Sequence, residues 1–180
     1  MAHDTQKHRR RSIRLKGYNY SSPGAYFITI CAHNWECVFG EILGGTVRLS
    51  RIGEIVRDEW LKTPMIRSNV ELDEYVVMPN HIHGIIIIND TGSGTSQRAP
   101  TMERFGSSTS NSIPTIVRLF KSASTKRTNQ ERGARGIAVW QRNYYERIVR
   151  TDREMNRIRE YIFNNPMQWY YDRENPANSV

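Results

Sequence analysis

The apolar residues of this chain fall first into strand-like clusters and then into helical spacing, and the order of those patterns predicts its elements. After a turn at Ser22-Pro23-Gly24, Ala25 to Cys31 is rich in the aromatic and β-branched residues a strand favours. A second apolar piece, Cys37 to Leu43, runs into Gly44-Gly45 and resumes as Thr46-Val47-Arg48-Leu49, which predicts a hairpin. Ser50 stands where an N-cap belongs, ahead of Ile52, Ile55, Val56 and Trp60 at helical spacing, and Pro64 is expected to close that helix. Two strands follow, Val70 to Met78 and His81 to Asn89, separated by Pro79-Asn80. The run Ile85 to Ile88 lacks polar alternation, as expected of a central strand covered on at least part of both faces.

From Asp90 to Ser112 the chain turns to Gly, Ser, Thr, Gln and Pro, which predicts a long mobile loop over 90–112 inside one domain. Pro114 opens a second helix with Ile116, Val117 and Phe120 on one face and Arg118 and Lys121 on the other. Ile137 to Trp140 predicts a short strand, with Tyr145 to Val149 extending it or pairing nearby. Thr151 and Glu154 make a capping box ahead of the stripe Met155, Ile158 and Ile162, and Pro166 ends that helix after Asn165. The order β, hairpin, α, β, β, α, β, α contains a split βαβ pattern. It predicts an α+β fold: a ferredoxin-like antiparallel sheet with helices packed on one face, plus an N-terminal hairpin.

At 180 residues the chain suits one compact domain, expected over 17–170 with a tail at 171–180. Charge adds a partner class. Lys and Arg total 26 against 18 Asp and Glu, a net charge of +8 that favours a polyanion. Residues 1–16 hold Arg9, Arg10, Arg11, Arg14 and Lys16 against Asp4, a basic arm suited to phosphate contact or to solubility. No apolar stretch precedes Tyr26, and no run approaches the ~18 apolar residues of a membrane span. The 2 cysteines, Cys31 and Cys37, are too few for a disulfide framework or a self-contained zinc site. The expectation is a cytoplasmic, nucleoid-associated protein with free thiols and no membrane partner.

Strand periodicity puts His81 and His83 on one face with Ile82 on the other, so the two imidazoles can chelate one divalent metal ion. By spacing alone two such histidines are more often ordinary strand residues. Entering an apolar strand, though, two unpaired rings are costly without a partner. Asn165 follows Tyr161 at i+4 and shares its helix face, so an Asn165 oxygen on that metal brings the Tyr161 hydroxyl toward it. The plainer alternative is that Asn165 terminates the helix and Tyr161 packs on the sheet.

The segment Met78-Pro79-Asn80-His81-Ile82-His83-Gly84, after Tyr75-Val76-Val77, resembles the histidine motif of HUH single-strand transposases. Val139-Trp140-Gln141-Arg142-Asn143-Tyr144-Tyr145-Glu146 and the helix Arg159-Glu160-Tyr161-Ile162-Phe163-Asn164-Asn165-Pro166 are similar to blocks of the REP-associated tyrosine transposases. Gly24-Ala25-Tyr26-Phe27-Ile28-Thr29-Ile30-Cys31 resembles that family's first strand. The blocks keep the family's order over residues 17 to 170. The resemblance implies that His81, His83 and Asn165 bind Mg²⁺ or Mn²⁺, with Asn165 where the wider superfamily often carries Gln. It implies Tyr161 as nucleophile on a DNA phosphate, leaving a 5′-phosphotyrosine link and a free 3′-hydroxyl. The link conserves the bond energy, which agrees with the lack of a P-loop signature.

The implied partner is single-stranded DNA, a hairpin at a repeat, bound by a monomer or homodimer. Lys121 and Arg142, with the basic arm, are candidate DNA contacts. Tyr18 and Tyr20, beside that arm, are candidates for stacking on unpaired bases. Tyr144 and Tyr145 rival Tyr161 but lack an i+4 ligand, and Tyr170 and Tyr171 follow the last helix. A non-cutting DNA hairpin-binding module and a phosphohydrolase using activated water remain the alternative functions.

Overall fold

A computed structural model of the chain describes residues 18–90, 111–172 and 174–178. The expected basic arm, with Arg9, Arg10, Arg11, Arg14 and Lys16, and nearly all of the expected loop at 90–112 lie outside the described residues. The apolar first segment forms strand β1 (Gly24–Cys31), and the hairpin follows as β2 (Gly40–Leu43) and β3 (Thr46–Leu49). Its turn is Gly44-Gly45, with φ of 58° and 77°, left-handed at both positions as a tight two-residue hairpin loop requires. Helix α1 (Arg51–Leu61) begins at Ser50, whose hydroxyl oxygen accepts from Gly53 N at 3.1 Å and donates to Val38 O at 2.7 Å. Pro64, expected to close α1, instead lies in the first turn of the short α2 (Thr63–Ile66). That position needs no N–H donor.

Strands β4 (Val70–Val77) and β5 (His81–Ile88) and helix α3 (Ile113–Glu131) match their expected places. They are followed by β6 (Tyr145–Val149) and α4 (Asp152–Asn164). Residues 137–139 do not form the expected strand; Trp140 alone makes an isolated bridge, to Ala32. Just beyond that bridge the Lys121 ammonium donates to Gln141 O and Asn143 O at 2.9 Å each. The sheet order is β4-β5-β1-β6 with every pairing antiparallel, the ferredoxin-like arrangement expected from the split βαβ order. No helix among the described residues is long and apolar enough to cross a membrane.

Register assigns the faces. Thr29 pairs with His83 and Cys31 with His81, so Tyr26, Ile28 and Ile30 share one face with Ile82, Gly84 and Ile86. That face carries the main core, closed by Val56 and Trp60 of α1 and by Ile116, Val117 and Phe120 of α3. The other face carries Phe27, Thr29, His81, His83 and Ile85. Here α4 packs, with Ile162, Met155 and Ile158 against Phe27 and Ile85. The expectation of helices on one face therefore holds for α1 and α3, and α4 covers the opposite side. The apolar stripe of α4 needs a surface, and the first face is already filled.

At Gly84 the sheet and helix α1 approach closely. A Cβ there would lie 2.4 Å from Cζ2 of Trp60, whose indole is 1% exposed and has little room to move. Gly84→Ala is expected to overpack the α1 face and lower stability by about 1–3 kcal/mol. Urea unfolding should show a lower midpoint at unchanged slope, and an unshifted midpoint would remove the Trp60 contact as the reason for this glycine.

Candidate active site

The alternation that sends Ile82 and Gly84 into the core turns both histidines to the α4 face. Their ring centroids lie 4.4 Å apart, and His81 is 0% and His83 3% exposed. His81 Nδ1 lies 2.9 Å from Asn80 Oδ1. A carbonyl oxygen only accepts, so Nδ1 carries the proton and Nε2 keeps its lone pair. Asn80 is itself oriented, donating from Nδ2 to Trp35 O at 3.1 Å and Glu174 O at 2.6 Å. His83 Nδ1 meets Thr29 Oγ1 at 2.8 Å, and its Nε2 meets the Tyr161 hydroxyl at 3.1 Å. Phe27 stacks on the His83 ring at 5.5 Å and takes Tyr161 edge-on at 6.1 Å, which holds both rings in place.

Helix α4 presents Tyr161. Thr151 caps it, accepting from Glu154 N at 3.2 Å, while the Glu154 carboxylate accepts from Arg150 N at 3.0 Å rather than from Thr151 N. The helix is clamped to the sheet by Arg159, which donates to Asp73 Oδ1 at 2.8 Å and Oδ2 at 2.6 Å. Asp73 sits at a register shift between Leu72 and Tyr75 on the edge strand β4. Bulges re-aim side chains in this way.

Past α4, residues Asn165–Tyr171 form a 3-10 turn that folds back, bringing Trp169 to 6.0 Å from the His81 ring. It also brings Asp172 Oδ2 within 4.0 Å of His81 Nε2. His81, His83 and Asp172 each offer one ligand atom, all within 4.8 Å of one another. His81 Nε2, Asp172 Oδ2 and the Oδ1 of Asn165 are buried without a hydrogen-bond partner among the described residues. Orphaned acceptors of this kind are costly. A divalent cation would satisfy them, so this donor set of two imidazoles and hard oxygens fits one.

The charges agree with that fit. Burial pushes His81 down to about 3 and His83 well below its ordinary range, so both rings are neutral ligands at pH 7. Burial, with the Asp172 and Glu174 carboxylates, pushes the Tyr161 phenol up to about 12, against a hydrogen bond from Asn165. A positive ion beside those carboxylates would favour the phenolate instead.

The residues expected from sequence are distributed unevenly. His81, His83 and Tyr161 come together as the face pattern required, and Asn165 is 3% exposed in the same corner. Asp172 was absent from the expected site; no spacing rule links it to β5, and only the fold-back turn brings it in. Thr29 and Asn80, which orient the rings, gave no signal beyond their adjacency to the motif. Tyr20, expected to be free for stacking, is 4% exposed and packs on Tyr26 and Tyr18. Tyr145 meets Phe27 edge-on at 6.3 Å, and Tyr144 lies under Lys121. Lys121 is engaged by its backbone carbonyls, and burial pulls it down to about 8. Arg142 is exposed.

No protein-family model matches the chain. A protein of Haemophilus influenzae, described as uncharacterized, is 46% identical over 172 residues, covering 92% of each chain. The chain belongs to that protein's family. A REP-associated tyrosine transposase solved with a REP hairpin bound has a TM-score of 0.59 and 16% identity, covering 88% of this chain and 75% of that one. The fold is that of a REP-associated tyrosine transposase.

The Arg159 clamp has a pH signature. Its hydrogen bonds hold the Asp73 carboxyl below the ordinary carboxylate range. The stability it contributes is complete above the unfolded value of about 3.9 and is lost as pH falls through the lower folded value. Asp73→Asn is expected to lower the Tm by a few degrees at pH 7, with the gap from wild type closing as pH falls below about 4. A gap that stays constant with pH would show that the carboxylate charge contributes nothing.

Proposed function

We propose that the chain is a metal-dependent transposase that nicks and rejoins single-stranded DNA through a covalent bond to Tyr161. The observation that carries this reading is the Tyr161 hydroxyl, 3.1 Å from His83 Nε2 and beside the unpartnered Nε2 of His81. A phenol within hydrogen-bond reach of an imidazole at a candidate metal site is suited to nucleophilic attack on a phosphate. His81, His83 and Asp172, with Asn165 beside them, would hold Mg²⁺ or Mn²⁺. Such an ion would supply positive charge to offset the negative charge that builds on the phosphate oxygens. That a protein of this fold binds a REP hairpin supports folded single-stranded DNA as the substrate.

In the reaction, Tyr161 Oη forms a bond to phosphorus and the P–O3′ bond breaks. The phenolic proton leaves to solvent, which reaches Tyr161 because the residue is 41% exposed. The departing O3′ takes up a proton and becomes a free 3′-hydroxyl. Attack by the 3′-hydroxyl of another strand reverses these steps, so rejoining needs no nucleotide. Phe27 and the Arg159 clamp keep the phenol in position, and Asn80 and Thr29 keep the imidazoles in theirs.

With Mn²⁺ and a labelled single-stranded hairpin, wild type is expected to give a denaturation-resistant protein–DNA adduct. Tyr161→Phe, which lacks the attacking oxygen, should give none. Cleavage that survives in Tyr161→Phe would sink the covalent mechanism in favour of activated water. Binding without cleavage in wild type would favour a non-cutting hairpin-binding module.

Metal binding is separable from cleavage. Asp172→Asn, and Asn80→Ala through loss of its hold on His81, should each weaken Mn²⁺ binding by about 10–100-fold. Isothermal titration of the DNA-free protein reads this directly. Unchanged affinity in Asp172→Asn would remove that carboxylate from the ligand set.

A further inference from the structure

The segment after α4 is held by side-chain amides more than by apolar packing. Asn175 donates from Nδ2 to Trp169 O at 3.0 Å, and Asn178 donates to Tyr170 O and Asp172 O at 2.8 and 2.9 Å. Asn80, from beneath the sheet turn, ties down Glu174 O. These bonds use up the local carbonyls and fix the backbone. Yet the two side chains they present, Tyr170 and Tyr171, are 74% and 81% exposed and join neither apolar core. Their rings stand at 90° with centroids 5.2 Å apart. A fixed turn that displays two large aromatic faces to water calls for a ligand.

Tyr170, Tyr171, Asp172 and Asn178 line a cavity of about 440 Å³. Asp172 belongs to this wall and to the histidine site alike, its carboxylate lying 4.0 Å from His81 Nε2. Whatever occupies the cavity is therefore a near neighbour of whatever lies at Tyr161. The lining also discriminates between parts of a nucleotide. Its described lining residues include no cation, and the Asp172 carboxylate repels phosphate, whereas aromatic faces accept any base by stacking.

We propose that Tyr170 and Tyr171 form a stacking pocket for one unpaired nucleobase of the strand cleaved at Tyr161. This rests on the single-strand nuclease reading above and assigns the pocket to the bases flanking the nick. Stacking without directed hydrogen bonds makes the pocket tolerant of base identity. It favours a single-stranded flank over a paired end, because bases within a duplex have both faces covered by their stacked neighbours and a terminal pair is held in place by its partner strand.

The test uses the full chain and two double variants, Y170F/Y171F and Y170L/Y171L, with two hairpin oligonucleotides. One hairpin is blunt; the other carries an unpaired flank with 2-aminopurine, whose fluorescence falls on stacking. Wild type and Y170F/Y171F should quench the probe at one flank position. Y170L/Y171L should lose the quench and bind the flanked hairpin about tenfold more weakly, with blunt-hairpin affinity and melting temperature unchanged. Equal quenching in the leucine variant would overturn the proposal, as would an equal loss on the blunt hairpin. The readout is binding, so it stays distinct from the adduct assay. A wild type that quenches without forming an adduct would refute the nuclease reading and leave the pocket as a binding site. A wild type that forms the adduct but shows no difference between variants would do the reverse.

Discussion

The pairing of β1 with β5 is the constraint on which the rest of this molecule depends. Because successive side chains in a strand point to opposite faces, setting Thr29 opposite His83 commits Ile82, Gly84 and Ile86 to the α1 and α3 side. The same step commits His81 and His83 to the α4 side. A slip of one residue would bury the imidazoles among Trp60 and Phe120 and turn isoleucines toward Tyr161. The glycine against Trp60 and the isoleucines around it make that slip costly, so the core enforces the geometry of the polar site behind it.

The second face works differently from the first. Its apolar cluster is small, centred on Phe27, Ile85 and Ile162. The Arg159–Asp73 pair supplements it at the edge strand, where a bulge turns Asp73 toward the helix. The result is a helix anchored by the Arg159 charge pair and, two residues on, by the contact of the Tyr161 ring itself with Phe27. Burial keeps both histidines neutral, and burial together with the Asp172 and Glu174 carboxylates pushes the Tyr161 phenol up. The site is poised for a positive ion: among the described residues, His81 Nε2, Asp172 Oδ2 and Asn165 Oδ1 lack hydrogen-bond partners.

The segment after α4 joins two roles. It returns across the sheet end to deliver Asp172 to the histidines, and it displays Tyr170 and Tyr171 beside them. Side-chain amides of Asn80, Asn175 and Asn178 hold its backbone, so its placement depends on hydrogen bonds made one by one. Such a segment has no periodic signature, because it follows no helix or strand repeat.

Periodicity and local chemistry were enough to read the strands, the hairpin, the caps of α1 and α4, and the central position of β5 with its four successive isoleucines. Alternation and the i, i+4 rule also put His81 with His83, and Tyr161 with Asn165, on shared faces, because both act within a single element; the resemblance to a known family singled those residues out. What acts between elements was illegible. The face on which α4 packs, the Arg159–Asp73 clamp, the burial of Tyr20 and the engagement of Lys121 all depend on surfaces that exist only once the sheet is assembled. Asp172 is the clearest case: 89 residues separate it from His83, and no repeat connects them. Sequence alone determined which side chains could share a face; tertiary structure decided which of those faces meet, because only packing in three dimensions brings distant chain segments into contact.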